Sequence, residues 1–387
     1  MLNVCFVSTY PPIRCGIAYY TYSLCQALVE TSPVRVTVLT ERNGKRCVHG
    51  GTACIPCFNR GEKYVEHILH AISEVKPEII HIQHDYTVYG FGDSFFSLLK
   101  QLDDNIIVTM HEVHTPVTVE KVTYGLENFA RNHAELGKIA AKIIVHSDTM
   151  KKWLLAYGVD SKKIAVVPHG TTILSSVQGA EAKRVLGFKE TDRVILSMGF
   201  VRRAKNDCLL IQTLPMILKE VPDARLLLAG GLHPHSSAGD IEEIQMRRSL
   251  VQKLGLGQYV RLIERYVDET ELPSIFGSAD VLTYLHDRSY VEVSGALHLG
   301  IGAGKPIVAT DVPRFEEVQE ISPETVIRPG KRERLAEILA RILTDKDYAE
   351  RLARRSATYA NQTSWTKVAQ EHFRIYEEMK RQDTRNC

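Results

Sequence analysis

The stretch VEVSGALHLGIGAGKPIVAT, residues 291–310, places a carboxylate and a Ser–Gly pair ahead of a helical segment and a strand-like apolar run. Gly302 and Gly304 suit a tight turn from a helix into a strand of a parallel sheet. The N–H groups that follow Ser294 suit an anion site, because a helix N-terminus presents unpaired donors and a partial positive charge. The stretch alone leaves both interpretations open.

Val- and Ile-rich runs alternate with longer helical patterns along most of the chain. Such runs, bounded by turn residues, are typical of parallel strands that are buried on both faces. The predicted strands of a first set are residues 3–8, 35–40, 79–83, 106–111, 142–147 and 164–168. Those of a second set are residues 193–199, 225–230, 260–263, 281–284 and 307–310. The rhythm predicts an α/β protein with two doubly wound parallel sheets.

The connection between the two sets that is richest in Ser, Thr and Gly is GTTILSSVQGAEA, residues 170–182. We place the domain boundary there, with an N-terminal domain of residues 1–172 and a C-terminal domain of residues 173–362. An amphipathic helical pattern follows, and we expect residues 363–387 to pack back on the N-terminal domain.

The composition excludes several classes of protein. The 387 residues include 48 basic and 46 acidic side chains, so the net charge of +2 gives no overall field for nucleic acid. No apolar run is long enough to span a bilayer, and the N-terminus lacks the pattern of a secretory signal. We therefore expect a cytoplasmic location and no nucleic-acid partner; the sequence carries no signal of an oligomeric state.

One cluster of cysteines raises the question of a metal. CVHGGTACIPC brings Cys47, His49, Cys54 and Cys57 close together in sequence and contains one C-x-x-C. These side chains are of the types that bind zinc, but the spacing is short and no second C-x-x-C follows. The pattern favours a loop with reduced thiols over a zinc site.

Polar side chains recur directly after the predicted strands, where ligands bind in open parallel sheets. Recurrence of histidine at strand ends favours a lined cleft over isolated structural histidines. A basic triplet before a helical pattern adds charge where a phosphate would meet backbone amides. The candidates are Arg14, Gly16, His84, Asp85, His111, Glu112, Ser147, His169, Arg202, Arg203, Lys205, His233, Asp287 and Glu292.

The order of several motifs carries a family resemblance. HEVHTP and VVPHGT precede MGFVRRAKN, LLLAGG, ADVLTYLHD and EVSGALHLGIGAGKPIVATDVPRFEEV. This succession resembles the family 4 retaining glycosyltransferases of the GT-B fold, most of all their mannosyltransferase-like branch. The resemblance implies two Rossmann-like domains that face each other across a cleft. The C-terminal domain would hold a nucleotide-sugar donor, and the N-terminal domain a carbohydrate or lipid-linked glycan acceptor.

The resemblance also assigns residues. Lys205 matches the lysine that neutralises the donor diphosphate, and His111 matches the histidine that reaches the donor sugar. The other expected phosphate contacts are Gly16, Arg202, Arg203, Ser294 and Gly295. Donor sugar or acceptor contacts are expected from His84, Asp85, Asp287 and Glu292, and contacts in the region of the base from Arg265 and Tyr266. Because His111 and Lys205 lie on different domains, the implied cycle includes domain closure.

The implied reaction moves a hexose, mannose in first place, from a GDP- or UDP-sugar to a hydroxyl in glycan or polysaccharide assembly. In the front-face mechanism of the family, the leaving phosphate accepts the acceptor's proton, and no protein nucleophile is required. A double displacement would instead need a carboxylate, for which Asp287 and Glu292 are the candidates. No D-x-D triplet follows a predicted strand, so we expect no metal and no cofactor.

The sequence departs from the family pattern at several positions. The two glutamates expected before the Gly-Lys-Pro turn fall on Val291 and Leu299, so only Glu292 is near enough to replace the first. Phe200 replaces an arginine, and His169 replaces an asparagine. These departures keep two alternatives open: a GT-B enzyme of other chemistry, such as a sugar-nucleotide epimerase or phosphorylase, and a non-catalytic protein that binds a nucleotide or glycan.

A predicted helix over residues 127–142 raises the question of a membrane contact. It carries Arg131, Lys138 and Lys142 among apolar residues. That pattern fits weak peripheral contact with a membrane that bears the acceptor, at its inner face, and it fits an ordinary solvated helix face better.

Overall fold

The computed structural model describes residues 1–44, 46–61, 64–102, 105–116, 126–174, 179–233, 236–287 and 291–386, with the backbone alone at 126–127 and 382–386. Contacts divide the chain into two compact units. The first unit consists of Met1–Gly170, Tyr290–Gly295 and Thr363–Cys387. The second unit consists of Thr171–Ser289 and Ala296–Gln362.

The first unit is built on an eight-stranded sheet of order β3-β4-β2-β1-β5-β6-β7-β8, parallel except for the β3–β4 pair. The strands are β1 Leu2–Val7, β2 Val34–Glu41, β3 Cys47–His49, β4 Thr52–Phe58, β5 Ile79–His84, β6 Ile106–Met110, β7 Lys142–Val145 and β8 Ile164–Val166. Among the described residues before 170, its helices are α1 Gly16–Thr31, α2 Tyr64–Val75, α3 Tyr86–Tyr89, α4 Asp93–Lys100, α5 Leu126–Ile139 and α6 Asp148–Ala156.

The second unit is built on a six-stranded, wholly parallel sheet of order β11-β10-β9-β12-β13-β14. The strands are β9 Arg193–Met198, β10 Ala224–Ala229, β11 Val260–Ile263, β12 Val281–Tyr284, β13 Ile307–Thr310 and β14 Val326–Ile327. The helices are α7 Gly179–Val185, α8 Asp207–Glu220, α9 Ala238–Lys253, α10 Leu272–Ser278, α11 Gly295–Gly302, α12 Glu316–Ile321, α13 Arg332–Thr344 and α14 Lys346–Gln362.

The two predicted parallel sheets are confirmed, and their central strands show why the sequence pattern is so clear. All six residues of β5 are buried, as are all five of β6 and all four of β12. Strands that are covered by helices on both faces need apolar side chains on both faces, and this gives continuous Val/Ile runs instead of alternation. Strands β3, β4 and β14 were not predicted: β3 and β14 are short, and β4 contains Cys54 and Cys57 of the segment that was expected to form a loop.

The glycines of the 291–310 stretch have structural roles. Gly304 ends helix α11 with a positive φ of 63°, which a residue with a Cβ rarely adopts. A Cβ on Gly302 would lie 1.9 Å from the carbonyl oxygen of Thr172, so this glycine lets the connection between the units run against α11. The helix start predicted at the Ser294–Gly295 pair is confirmed, because α11 begins at Gly295.

Two later segments of the chain complete the first unit. In one of them the Val113 amide donates to the Val291 carbonyl at 2.8 Å, and Val291 is buried in the core between the sheet and its helices. The other segment forms the final helix, α15 Trp365–Asn386. Its Val368 and Tyr376 are buried against residues of β1, β2 and α1.

One sequence prediction in the first unit is wrong in detail. Lys142 is the first residue of β7 and not part of a helix with Arg131 and Lys138. Its ammonium group donates to the Lys162 carbonyl at 2.9 Å, and Lys138 lies 3.7 Å from the Glu135 carboxylate. The three cations therefore do not form one helix face. Within the described part of the chain, no helix is long and apolar enough to cross a membrane.

The cysteine cluster forms a small hairpin. Cys47 lies opposite Cys54 in the antiparallel pair of β3 and β4, and His49 lies opposite Thr52. Among the described residues, no group of three or more His, Cys, Asp or Glu side chains is placed to hold a metal ion.

Candidate functional site

His111 follows β6 and lies in a cluster of aromatic and imidazole rings. Its Nε2 is 2.9 Å from Gln83 Oε1, and its Nδ1 is 3.2 Å from His146 Nε2. The ring meets the edge of Tyr20 at 4.7 Å between centroids. Burial, followed by the neighbouring His146, holds the pKa of His111 well below its usual range. His111 is therefore a neutral imidazole with both ring nitrogens in contact with other side chains.

His84 and Asp85, predicted to contact a sugar or acceptor, have local structural partners. His84 has no exposed surface, and its Nε2–H donates to the Gly90 carbonyl at 2.9 Å. Burial lowers the pKa of His84 to about 4, and the ring packs 4.6 Å from that of Phe95. Asp85 caps α3 by accepting from the Thr87 amide at 2.7 Å. Its Nδ1 is buried without a hydrogen-bond partner, so His84 is enclosed in this conformation, and its contact with a sugar or acceptor stays a prediction.

Two glutamates face each other across an isolated antiparallel bridge between Glu112 and Glu292. Glu112 Oε1 lies 3.0 Å from His114 Nε2, and both side chains are mostly buried. Burial raises the pKa of Glu112; His114 opposes this, and the Glu292 charge adds to it. These effects favour the protonated form of Glu112, which can donate to a hydroxyl as well as accept from one.

Gly16 begins α1, the first helix after β1. The Cys15 thiol caps this helix by accepting from the Ala18 amide at 3.3 Å. A Cβ on Gly16 would meet no atom within 4 Å, so open space lies above the first turn. The predicted close approach of a ligand at this glycine is sterically free.

Lys205 lies at the carboxyl end of β9 in the second unit, and only 5% of its surface is exposed. Its ammonium group donates to the Gly199 carbonyl at 3.3 Å and lies 3.6 Å from Asp207 Oδ2. The same carboxylate lies 2.6 Å from Arg247 of α9 and accepts from the Ser197 hydroxyl at 2.6 Å. Burial lowers the pKa of Lys205, Asp207 raises it, and Arg247 lowers it.

The two arginines of the basic triplet differ from Lys205. Arg202 is 41% exposed and lies 3.1 Å from Asp240 Oδ2, and the backbone amide of Arg203 donates to the same carboxylate at 3.2 Å. Asp240 also belongs to the capping box that begins α9 with Ser237. Lys205 is thus the buried cation of this loop, and Arg202 holds the loop against α9.

Phe200, which replaces the family's arginine, belongs to an aromatic group. Its ring meets His233 edge-on at 4.9 Å and lies 6.1 Å from Tyr266. Arg265, predicted to lie near the base, is exposed and makes two hydrogen bonds to Glu271, of 2.7 and 2.6 Å. The aromatic surface, and not the paired Arg265, is the part of this region that suits a flat or apolar ligand group.

Sequence reasoning did not select His286, which follows β12. Its backbone carbonyl accepts from the Thr310 hydroxyl at 2.6 Å, and its Nδ1 is buried without a hydrogen-bond partner. Burial, followed by Arg314 and Lys205, lowers the pKa of His286 well below its usual value. The next residue, the exposed Asp287, donates its amide to the Ala204 carbonyl at 3.2 Å. His286 thus lies in the electrostatic range of Lys205.

Leu299, where the family usually carries a second glutamate, packs against the apolar core of the second unit. The preceding residue, His298, is buried between Thr171 Oγ1 at 2.8 Å and Glu317 Oε1 at 3.3 Å. No carboxylate replaces the missing one at this position of α11.

Two α/β units, each built on a largely parallel sheet, are the architecture of the GT-B fold, and the second unit has a buried lysine at the carboxyl edge of its sheet. Residues 15–173 match the family described as Glycosyltransferase Family 4, and residues 179–359 match Glycosyl transferases group 1. The chain therefore belongs to the family 4 glycosyltransferases, as the order of its motifs predicts.

Solved structures confirm the fold. Sucrose-phosphate synthase from Thermosynechococcus elongatus superposes with a TM-score of 0.79 at 19% identity, over 98% of this chain and 99% of that one. HepE from Anabaena, solved in complex with UDP and glucose, superposes with a TM-score of 0.77 at 14% identity, over 98% of this chain and 100% of the other.

Curated relatives are similar over part of their length. The D-inositol 3-phosphate glycosyltransferase of Corynebacterium urealyticum is 29% identical over 230 residues, which is 57% of this chain and 52% of the relative. The phosphatidyl-myo-inositol mannosyltransferase of Mycobacterium leprae is 26% identical over 244 residues, or 62% of this chain and 59% of the relative. The chain thus spans little more than half of the length of these two relatives.

Proposed function

We propose that this protein is a retaining hexosyltransferase that moves a hexose from a nucleotide sugar to an acceptor hydroxyl in glycan assembly. The observation that carries the proposal is Lys205, a buried cation at the carboxyl edge of the second sheet, held against Asp207. Departure of a nucleoside diphosphate builds negative charge, and a fixed cation in a poorly solvated position stabilises that charge far better than a mobile one.

Mannose is the favoured hexose, with GDP as its nucleotide. This preference rests on the name of the mycobacterial relative, a mannosyltransferase. The complexes of HepE with UDP and UDP-glucose support a nucleoside diphosphate donor and keep UDP-glucose as the second choice. The names of both relatives support testing inositol-containing acceptors first.

The proposed chemistry is a front-face substitution. The bond between the anomeric carbon and the donor phosphate oxygen breaks, the acceptor oxygen bonds to the same face, and the departing phosphate takes the acceptor's proton. Lys205 and the amides at the start of α11 would stabilise the departing phosphate. Glu292 would bind sugar hydroxyls, and the neutral His111 would lie against the donor sugar.

A double displacement is the less favoured route. Its nucleophile would have to be an ionised carboxylate under the anomeric carbon. Glu112 is a poorer nucleophile because burial raises its pKa, which favours the protonated form. Glu292 and the exposed Asp287 are left for that role, and a covalent sugar adduct on either carboxylate, sought by mass spectrometry, distinguishes the two routes.

The first experiment compares the thermal unfolding midpoint with GDP, UDP, ADP, dTDP and CMP, each with magnesium and with EDTA. A ligand that binds only the folded state raises the midpoint by mass action. We expect one nucleoside diphosphate to stabilise the protein equally in EDTA, while its parent nucleoside, the matched control, does not. Failure of every nucleotide to stabilise the protein would contradict the proposal.

The second experiment gives the matching nucleotide sugar and a set of hydroxyl acceptors to the protein and identifies products by mass spectrometry. The anomeric configuration of the new linkage is read by NMR. We expect the configuration of the donor to be retained. Release of free sugar phosphate or an epimerised nucleotide sugar would point to the other GT-B chemistries instead.

A further inference from the structure

A continuous chain of buried side chains joins the final helix of the first unit to His111. The Tyr376 hydroxyl of α15 lies 2.7 Å from His81 Nδ1. Gln83, two residues after His81 on β5, spans the next gap, 3.2 Å from His81 Nε2 and 2.9 Å from His111 Nε2. His111 Nδ1 then meets His146 Nε2 at 3.2 Å. His81 and Gln83 share a face of β5 because side chains alternate along a strand.

This series of hydrogen bonds ends at a backbone carbonyl, which can only accept. That end therefore determines which ring nitrogens of His146 and His111 carry a hydrogen. His146 Nδ1 lies 3.0 Å from the Val167 carbonyl oxygen, so this nitrogen carries a hydrogen. If His146 is neutral, its Nε2 is an acceptor, and the hydrogen between the two imidazoles belongs to His111 Nδ1. A neutral His111 then has a lone pair at Nε2, which needs a donor.

Gln83 is the group that faces that lone pair. With its oxygen toward His111, two acceptors would meet at 2.9 Å unless one of the two imidazoles took up a second proton. Such a proton would put a charge on a ring pair in which His146 is only 3% exposed, and a buried charge costs far more than the rotation of an amide. With its NH₂ group toward His111, every group in the chain is satisfied without charge.

The orientation of a glutamine amide is assigned from the hydrogen-bond network around it. We infer that Gln83 donates to His111 Nε2 and thereby, with His146, fixes His111 as the neutral imidazole whose hydrogen lies on Nδ1. Gln83 and His146 are positioning residues for His111. Only the link from His111 to the donor sugar rests on the proposed function.

The same orientation of Gln83 also determines the donors and acceptors between Gln83 and the final helix. The oxygen of Gln83 now faces His81 Nε2, so His81 carries its hydrogen there and shares it with the Thr109 hydroxyl at 2.7 Å. His81 Nδ1 is then an acceptor, and the Tyr376 hydroxyl donates to it. All the hydrogen bonds point the same way, from α15 toward Val167. The side chain of Tyr376 thus supports the ring position of His111 through two intervening residues.

Histidine tautomers are measured directly by ¹⁵N NMR of protein with ring-labelled histidine, in long-range proton–nitrogen spectra. His81→Gln, His111→Gln and His146→Gln variants assign the signals. We expect hydrogen on Nδ1 of His111, on Nδ1 of His146 and on Nε2 of His81, all neutral at pH 7. Hydrogen on Nε2 of His111, or an additional proton on the His111–His146 pair, would overturn the inference.

Gln83→Glu tests the inference by reversal, because a carboxylate accepts hydrogen bonds and does not donate to His111. We expect His111 in this variant to show two protonated nitrogens at pH 7, and turnover of the nucleotide sugar to fall roughly tenfold. The affinity for the nucleoside diphosphate should stay unchanged. Gln101→Glu, at an exposed glutamine after α4, is the matched control and should alter none of these.

Tyr376→Phe removes only the first hydroxyl of the chain. We expect the tautomer of His81 to become mixed, and kcat to fall by about two- to fivefold without a change in KM for the donor. A wild-type protein that lacked transferase activity would contradict the proposed function while the NMR result still decided the tautomers. An unaltered kcat and unaltered histidine spectra in both variants would refute the positioning role.

Discussion

The carboxyl edges of the two sheets have similar strand architecture but satisfy their buried polar groups in different ways. In the first unit His81, Gln83 and His111 form an uncharged network of hydrogen bonds. In the second unit Lys205 and Arg247 share the carboxylate of Asp207, so the buried groups there are ions. In an uncharged network, a substitution that turns a donor into an acceptor changes which nitrogens carry hydrogen. In a charged network, the loss of any single ion leaves another buried charge without compensation and lowers the stability.

The largest effect is expected from Arg247→Met. Arg247 is 3% exposed and lies 2.6 Å from Asp207, so its loss leaves a buried carboxylate with less compensation. We expect the second unit to lose about 3 to 5 kcal/mol of stability. Arg248→Met, which removes the neighbouring and mostly exposed partner of Glu264, is the control and should cost less than about 1 kcal/mol.

Urea unfolding can assign that loss to one unit. The two tryptophans, Trp153 and Trp365, both belong to the first unit, so their fluorescence reports on that unit alone. Circular dichroism reports on both. We expect Arg247→Met to shift the dichroism transition and to leave the fluorescence transition in place. Equal losses in the two variants would show that the buried charges are not coupled as described.

Lys205→Ala comes next in size. Removing the cation should lower kcat on the order of 100-fold if it stabilises the departing diphosphate. Turnover of the nucleotide sugar is the measurement, and Lys346→Ala, at a lysine on α14 that is 88% exposed, is the control. Activity that survives in Lys205→Ala would separate the buried charge from the proposed chemistry.

As the pH falls, we expect the first unit to lose folding stability before the second. The first unit buries imidazoles whose pKa values lie below their usual range: His81, His84, His111, His133 and His372. The unfolded chain binds protons at these rings below pH 6.5 and the folded chain does not, so stability present above that pH is lost as the pH falls toward 4.

Each buried neutral imidazole should lower the free energy of unfolding by about 1 kcal/mol when the pH falls from 7 to about 5.5. The test is the urea midpoint of tryptophan fluorescence at the two pH values. In His84→Phe the pH dependence should shrink by that amount, whereas His70→Phe, at an exposed position on α2, should leave it unchanged. A wild-type midpoint that is flat over this range would contradict the burial of neutral imidazoles.

The smallest effect is expected from Arg202→Ala. Arg202 is 41% exposed and paired with Asp240, so its charge is already balanced and screened by solvent. We expect the affinity for the nucleoside diphosphate to change by less than about threefold and the stability by less than about 0.5 kcal/mol. A loss as large as that of Lys205→Ala would place the diphosphate at the arginine instead.

The two sheets could be predicted from the sequence because strands that are buried on both faces consist of continuous runs of apolar residues. At His84, the position at a strand end did not reveal that the imidazole is fully enclosed. Alternation along β5 places His84 on the face of Ile80 and Ile82, opposite His81 and Gln83. Neighbouring residues of β5 therefore face different surroundings: Gln83 contacts the polar network, and His84 packs in the aromatic core.

The motif around Lys205 was visible in the sequence, but its burial and its partner were not. Arg247 lies on α9, far along the chain, in a helix without a distinctive motif. His146 was passed over for the neighbouring Ser147, which caps α6. Contacts between distant segments are set by tertiary packing, so local patterns identify the loop of a site more readily than the groups that hold it.

The first unit is assembled from three separate parts of the chain, the last of which is residues 363–387. During synthesis, His81 therefore lacks its hydroxyl partner until Tyr376, 295 residues later in the chain, has left the ribosome. Residues 1–170 emerge early with a buried histidine lacking its hydroxyl partner, and with the apolar surface that α15 later covers still open. Supplied as a separate peptide, the final helix should bind this early fragment, which makes the protein a natural candidate for a two-piece reporter.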